Sequence, residues 1–227
     1  SIGNGAFGYC SSLRRVSIHA SDIKFFTTAD GIVTAFVYVG GLKELYTNMN
    51  QVEESYYMRN LFIHSIGSIE KVTVGEGVKS IGYRAFYECK ALKHIVIPSS
   101  VRSIGGHMCD SCTSLEQVSI PASVTSIGKA AFQNCGALRS LIIPDSVTSI
   151  GSYLCHGCAS LQSVSIPNNI SSIPRSAFYG CSSLESVSIP DSVRNVDDWA
   201  FGHCSSLQSV AIPNSVTSLG KSAFHSC

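Results

Sequence analysis

The pair Ile-Pro recurs at Ile97-Pro98, Ile120-Pro121, Ile143-Pro144, Ile166-Pro167, Ile189-Pro190 and Ile212-Pro213, each step 23 residues long. A fixed period outranks any local signal, because it describes a chain made by stacking one small unit on copies of itself. Around the pair the unit reads S-x-x-L-x-S-V-S-I-P-x-S-V-T-S-I-G-x-x-A-F-x-x-C. Leu92, Leu115, Leu138, Leu161, Leu184 and Leu207 open the units; Phe86, Phe132, Phe178, Phe201 and Phe224 stand near their ends.

Within one unit, Val187 and Ile189 alternate with Ser186 and Ser188, the period of a half-buried strand. Stacked units set such strands side by side in parallel, about 4.8 Å apart. Proline after the isoleucine has no backbone donor and ends the ladder. Asp or Asn followed by Ser, as in Pro144-Asp145-Ser146, supplies a turn. A second extended piece, Val147 to Ile150, leads to Gly151, where the chain can bend. The Ala-Phe-x-x-Cys stretch has apolar spacings of three, which predict a single helical turn on the outer side. No unit buries its apolar interior alone, so stability is expected from neighbours.

This pattern resembles the leucine-rich repeats of the BspA-like, or Treponema-type, family, tightly over residues 66–227 and loosely before them. The resemblance implies a leucine-rich repeat solenoid: a parallel β-strand face, with short turns or helical turns on the outer side. The first third comes into phase by counting. Leu13, Leu42 and Ile69 take the opening position at spacings of 29 and 27, with 23 from Ile69 to Leu92, so the early units carry insertions of six and four residues. About nine coils are expected, stacked over roughly 40 Å. The chain is expected to be one repeat domain, 1–227, irregular over 1–65 and regular over 66–227. Entering and leaving in mid-unit without a polar cap, it is expected to be a piece of a longer protein.

Composition excludes several functions. Charged residues are 14% of the chain and the formal net charge is +1, which supplies no basic field for nucleic acid and no polybasic patch for lipid. The longest apolar run, Ile32 to Leu42, is too short to cross a membrane.

The ten cysteines demand an assignment. Eight share one repeat position: Cys10, Cys89, Cys112, Cys135, Cys158, Cys181, Cys204 and Cys227. Val39 and Ile66 fill that slot in the irregular units, so it is expected to be a small buried apolar site holding free thiols. Cys109 and Cys155 replace the Phe of the Ala-Phe pair, which predicts a thinner, softer core in those coils. Equivalent cysteines on neighbouring coils should lie about 4.8 Å apart, beyond disulfide reach. A local disulfide within Cys109/Cys112 or Cys155/Cys158 stays open. Zinc would need four converging ligands, and these pairs sit two coils apart.

No catalytic constellation emerges. His19, His64, His94, His107, His156, His203 and His225 fall mostly at different repeat phases and are expected to be solvent-facing, without stacking into a site. Glu53-Glu54 and Asp197-Asp198 are sequence neighbours rather than pairs facing across a cleft. No G-x-S-x-G, P-loop or H-E-x-x-H occurs, so neither enzyme activity nor a cofactor is expected. Asn169-Ile170-Ser171 matches the N-glycosylation pattern.

The expected site is the strand face, the surface solenoids commonly present to partners. Its outward positions are Lys93, His94 and Val96; Glu116, Gln117 and Ser119; Arg139, Ser140 and Ile142; then Gln162, Glu185 and Gln208 with the serines that follow them. A second candidate is the aromatic-dense stretch from Ala20 to Ser65, with Tyr46, Tyr56 and Tyr57. The resemblance implies a non-catalytic protein-binding module at the cell surface or secreted, adhering to a host, matrix or neighbouring-cell protein. The alternative is an intracellular interaction scaffold, which free thiols favour, or a structural spacer. Homo-association through open stacking edges is a further possibility.

Overall fold

The computed structural model describes residues 15–18, 44–47 and 67–227. Nine short strands line one side: β1 (Arg15–Ile18), β2 (Glu44–Thr47), β3 (Lys71–Val74), β5 (His94–Val96), β7 (Gln117–Val118), β9 (Ser140–Ile142), β11 (Ser163–Ser165), β13 (Ser186–Ser188) and β15 (Ser209–Ala211). Alternating with them are two-residue strands: β4 (Ser80–Ile81), β6 (Ser103–Ile104), β8 (Ser126–Ile127), β10 (Ser149–Ile150), β12 (Ser172–Ile173), β14 (Asn195–Val196) and β16 (Ser218–Leu219). Every pairing is parallel and joins equivalent positions of successive coils. Arg15 lies opposite Glu44, Glu44 opposite Lys71, and Lys71 opposite His94, so the register absorbs the two early insertions as counting predicts.

The strand face is paired in three blocks, β1-β2-β3-β5-β7, β9-β11 and β13-β15. Single backbone bonds join the blocks: Arg139 N–H donates to Glu116 O at 3.3 Å, and Glu185 N–H to Gln162 O at 3.4 Å. The expected nine coils are reduced to about six regular turns, and of the first two units only β1 and β2 fall among the described residues.

The expected outer helical turn is not formed; no helix occurs among the described residues. Two backbone features prevent it. Each coil carries two residues of left-handed φ four positions apart, such as Arg84 (58°) and Glu88 (60°) or His107 (55°) and Ser111 (63°). In addition, the N–H groups of Arg84, Phe86 and Glu88 donate along the solenoid to Gly106, Met108 and Asp110 of the next coil, each at 2.8 Å. Donors committed to the neighbouring coil are lost to an i→i−4 helix. The outer side is therefore a third inter-coil ladder, pinned between isolated turns.

The interior is one continuous column of buried side chains. Leu92, Leu115, Leu138, Leu161 and Leu184 are fully inaccessible, as are Phe132, Phe178 and Phe201. Phe178, Phe201 and Phe224 stack with ring centroids 5.3 Å apart. Burial of each such side chain contributes about 1.5–3 kcal/mol. Cys109 and Cys155 do not thin this column: both are fully buried, and the alanine before the usual Phe is replaced by Met108 and Leu154, themselves fully buried. The volume lost by Phe→Cys is regained one residue earlier.

Candidate binding face

The strand face is assembled by its backbone. Glu116 N–H donates to Lys93 O, Arg139 to Glu116, Gln162 to Arg139, Glu185 to Gln162, and Gln208 to Glu185, at 2.8–3.4 Å. One predicted set of binding residues thus forms a single column along the solenoid. Lys93, Arg139, Gln162, Glu185 and Gln208 are exposed, and Glu116 is half-buried. His94 and Gln117 are exposed and face each other across β5 and β7. Because the residues between them, such as Ile95 and Leu141, are fixed in the core, these side chains project from a rigid base.

The face is not uniformly flat. In the next column Val96 is 48% exposed and Ile142 70%, while Ser119 stands between them. This large–small–large step opens a depression of about 450 Å³, rimmed by His94, Gln117 and Ser140 and floored by Ile95, Val118 and Ile120. It sits where pairing lapses between β7 and β9. In the same column toward the C-terminus stand Ser165, Ser188 and Ala211, which form no such step. Tyr46 holds the register position of Thr73 and Val96. Tyr56 and Tyr57 lie outside the described residues.

Charges on this face are sparse. Lys93 Nζ meets Glu70 Oε2 at 3.4 Å with both side chains partly exposed, a contact contributing roughly 0–1 kcal/mol. Around the depression Lys71, Lys93 and Arg139 outnumber Glu70 and Glu116 by one positive charge, whereas Glu185 is the charged member of the outward strand positions from β11 to β15.

The turn side holds an arrangement that phase counting missed. His156 stacks on Tyr179 (4.8 Å between centroids), Tyr179 meets Trp199 (5.9 Å) and His203 (5.1 Å), and His225 approaches Trp199 (5.2 Å) and His203 (5.6 Å). Different repeat phases within one tight turn segment thus converge in space, and His203 and His225 meet edge to face. Tyr153-x-x-His156 and Trp199-x-x-x-His203 were the available signals. Much of this cluster is packing: a Cβ on Gly202 would lie 2.8 Å from Trp199 and 3.1 Å from Tyr179. Burial pushes the His156 pKa down, and its Nδ1 is buried without a partner. His107 Nδ1 bonds Asp110 Oδ2 at 2.9 Å, and Ser111 Oγ donates to Asp110 Oδ1 at 3.0 Å, which satisfies the buried carboxylate.

The remaining reactive groups are engaged in the fold. The nine described cysteines are free thiols. In the repeat slot, Cys112 donates S–H to Phe86 O, Cys135 to Cys109 O, Cys158 to Phe132 O and Cys181 to Cys155 O, at 3.0–3.3 Å. Burial raises the pKa of Cys109, Cys135, Cys155 and Cys181 and lifts Cys204 to about 12, so these thiols stay neutral and poorly nucleophilic. Asp198 Oδ1 accepts Lys221 N–H at 2.7 Å, and Asp197 Oδ1 lies 3.4 Å from Ser172 Oγ, so this carboxylate pair ties coils together. Among the described residues no group of three or more His, Cys, Asp or Glu is placed to hold a metal ion, and no helix is long and apolar enough to cross a membrane. Asn169 is exposed, and its Nδ2 donates to Asp145 O at 2.6 Å.

A parallel-strand solenoid with a 23-residue unit is the leucine-rich repeat architecture. The chain belongs to the BspA type leucine rich repeat region family, matched in six copies over residues 56–181 and 125–227. No match is found among curated proteins. Among solved structures, the chain is similar to a leucine-rich repeat protein from Bacteroides ovatus, at 28% identity and TM-score 0.68, over 79% of this chain and 43% of that one. It is also similar to the Treponema pallidum leucine-rich repeat protein, at 26% identity and TM-score 0.60, over 93% and 89% of the two chains. A leucine-rich repeat protein from Eubacterium ventriosum shares the fold at 19% identity and TM-score 0.55, over 99% and 79%. The chain spans less than half the length of the Bacteroides protein. No enzymatic family is indicated by these matches.

Proposed function

We propose that residues 1–227 form one non-catalytic protein-binding domain that engages its partner through the strand face. It acts at the cell surface or in a secreted protein, adhering to a host, matrix or neighbouring-cell protein. The observation that carries this function is the column Lys93–Glu116–Arg139–Gln162–Glu185–Gln208, held in register by backbone bonds over an inaccessible core. Such a surface needs little ordering on binding, so little conformational entropy opposes association. The surface location follows from what the BspA-type resemblance implies. An intracellular scaffold is the second possibility, favoured by the nine free thiols.

Affinity capture with the whole chain as bait, against purified extracellular-matrix proteins and separately a cytosolic lysate, distinguishes the two. Saturable binding of a matrix protein is expected. Binding from the cytosol alone would replace adhesion by the scaffold role, and binding from neither would leave the domain as a spacer.

A further inference from the structure

We infer that the step formed by Val96, Ser119 and Ile142 is an anchor subsite. It takes one aliphatic or aromatic side chain from an extended polypeptide that carries an acidic residue close to that anchor. The inference rests on the strand face being the binding surface and locates the contact within it. Three observations converge on the place.

The first is apolar exposure. Val96 and Ile142 are 48% and 70% exposed, whereas the other outward positions from β5 to β15 are polar or small. Exposed apolar groups gathered at one spot mark interaction sites rather than chance surface composition. The second is shape. Ser119 ends at its hydroxyl while its neighbours in the column carry branched side chains, so the gap is about two coil spacings, or roughly 10 Å, from wall to wall. The resulting volume of about 450 Å³ has an aliphatic floor, Ile95, Val118 and Ile120, and a polar rim, His94, Gln117 and Ser140. An apolar centre within a polar rim is the composition of an interface core, where one large side chain is fully desolvated. The third is charge. Among the described residues Lys93 is partnered by Glu70 whereas Arg139 forms no ion pair, and the residues around the step carry one net positive charge. Two coils beyond Ile142 stands Glu185. A partner segment with its carboxylate beside the anchor and a neutral or basic end toward Glu185 matches this polarity in one direction only.

The same column from Ser165 to Ala211 provides an internal control, because it has the same backbone and no step. Ser119→Phe fills the step, and Ser188→Phe adds the same ring where no step exists. Both replace exposed residues, and thermal unfolding verifies that both variants fold. A phage-displayed library of random linear dodecapeptides is selected on the whole wild-type chain. Selected peptides are expected to share a single Leu, Ile, Phe or Trp with Asp or Glu within three residues. They are expected to bind Ser119→Phe at least about tenfold more weakly while binding Ser188→Phe nearly unchanged. Binding lost with Ser188→Phe but kept with Ser119→Phe would overturn the subsite and leave the strand face standing. Binding indifferent to both but lost with Arg175→Glu on the turn side would overturn both. Failure to select any peptide, or selection of peptides without an apolar anchor, also overturns the subsite.

Discussion

At the scale of single residues, one side chain answers two demands in the repeat slot of the regular coils. Cysteine is small enough for the column and also donates to a carbonyl of the preceding coil. Phe86 O, for example, accepts Cys89 N–H at 3.2 Å and Cys112 S–H at 3.1 Å. Compensation operates at the same scale where Met108-Cys109 and Leu154-Cys155 replace Ala-Phe. Restoring the repeat consensus at one position alone should therefore do harm. Cys155→Phe is expected to destabilise by about 1–3 kcal/mol through overpacking against Leu154. Adding Leu154→Ala should recover most of that loss, and urea denaturation of the four proteins of this cycle measures the coupling. Additive effects would show that the two positions do not share volume. The buried position of the slot was legible in the sequence, from its exchange with Val39 and Ile66. The thiol's donor role was not, since no pattern of residue types reports which carbonyl faces it. Likewise the expected thinning of the core at Cys109 and Cys155 is not found, because one position was weighed without its neighbour.

At the scale of elements, the strands were legible because alternation and a following proline are one-dimensional signals. The turn side was not, because its determinant is a φ pattern. Arg84, Glu88, His107, Ser111, Ala130 and Asn134 adopt left-handed φ without being glycine, as the inter-coil ladder requires. The coils approach closely at the preceding bend. A Cβ added to Gly151 would lie 2.3 Å from Lys129 N and 2.5 Å from Lys129 Cα. Gly151→Ala is therefore expected to destabilise by about 1–3 kcal/mol, since the obstruction is backbone and cannot rotate away. A midpoint unchanged in chemical denaturation would mean the coils separate there freely.

His156 gives the same elements a pH dependence. With its pKa depressed in the folded state, His156 stabilises the fold above the ordinary histidine range near 6.5 and loses that contribution as pH falls, because the unfolded chain takes the proton more readily. His156→Phe, which also removes the unpartnered Nδ1, is expected to flatten the fall of the melting temperature between about pH 7 and pH 5. An equally steep fall in the variant would place the acid sensitivity elsewhere. Cys204 works in the opposite sense: its pKa, raised to about 12, contributes stability below about pH 9 that is lost as alkaline pH ionises the unfolded thiol first.

At the scale of the whole molecule, three parallel ladders and one apolar column tie the described coils to their neighbours, and the strand face is a regular surface they leave open. The stack and its face were legible from the 23-residue period alone. The step at Ser119 was not recognised as a site, because its three residues are unremarkable until Val96, Ser119 and Ile142 are placed in one column. The turn-side cluster is the rival surface, and a single comparison separates the two. Affinity for a captured matrix protein is measured by surface plasmon resonance for three chains. One is wild type, the second carries Lys93, Glu116, Arg139, Gln162 and Glu185 changed to Ala, and the third carries Lys129, Arg175 and Lys221 changed to Ala. Binding through the strand face predicts at least about a tenfold weakening for the second chain and essentially none for the third. Undiminished binding by the second chain, with loss in the third, would contradict it and move the site to the turns.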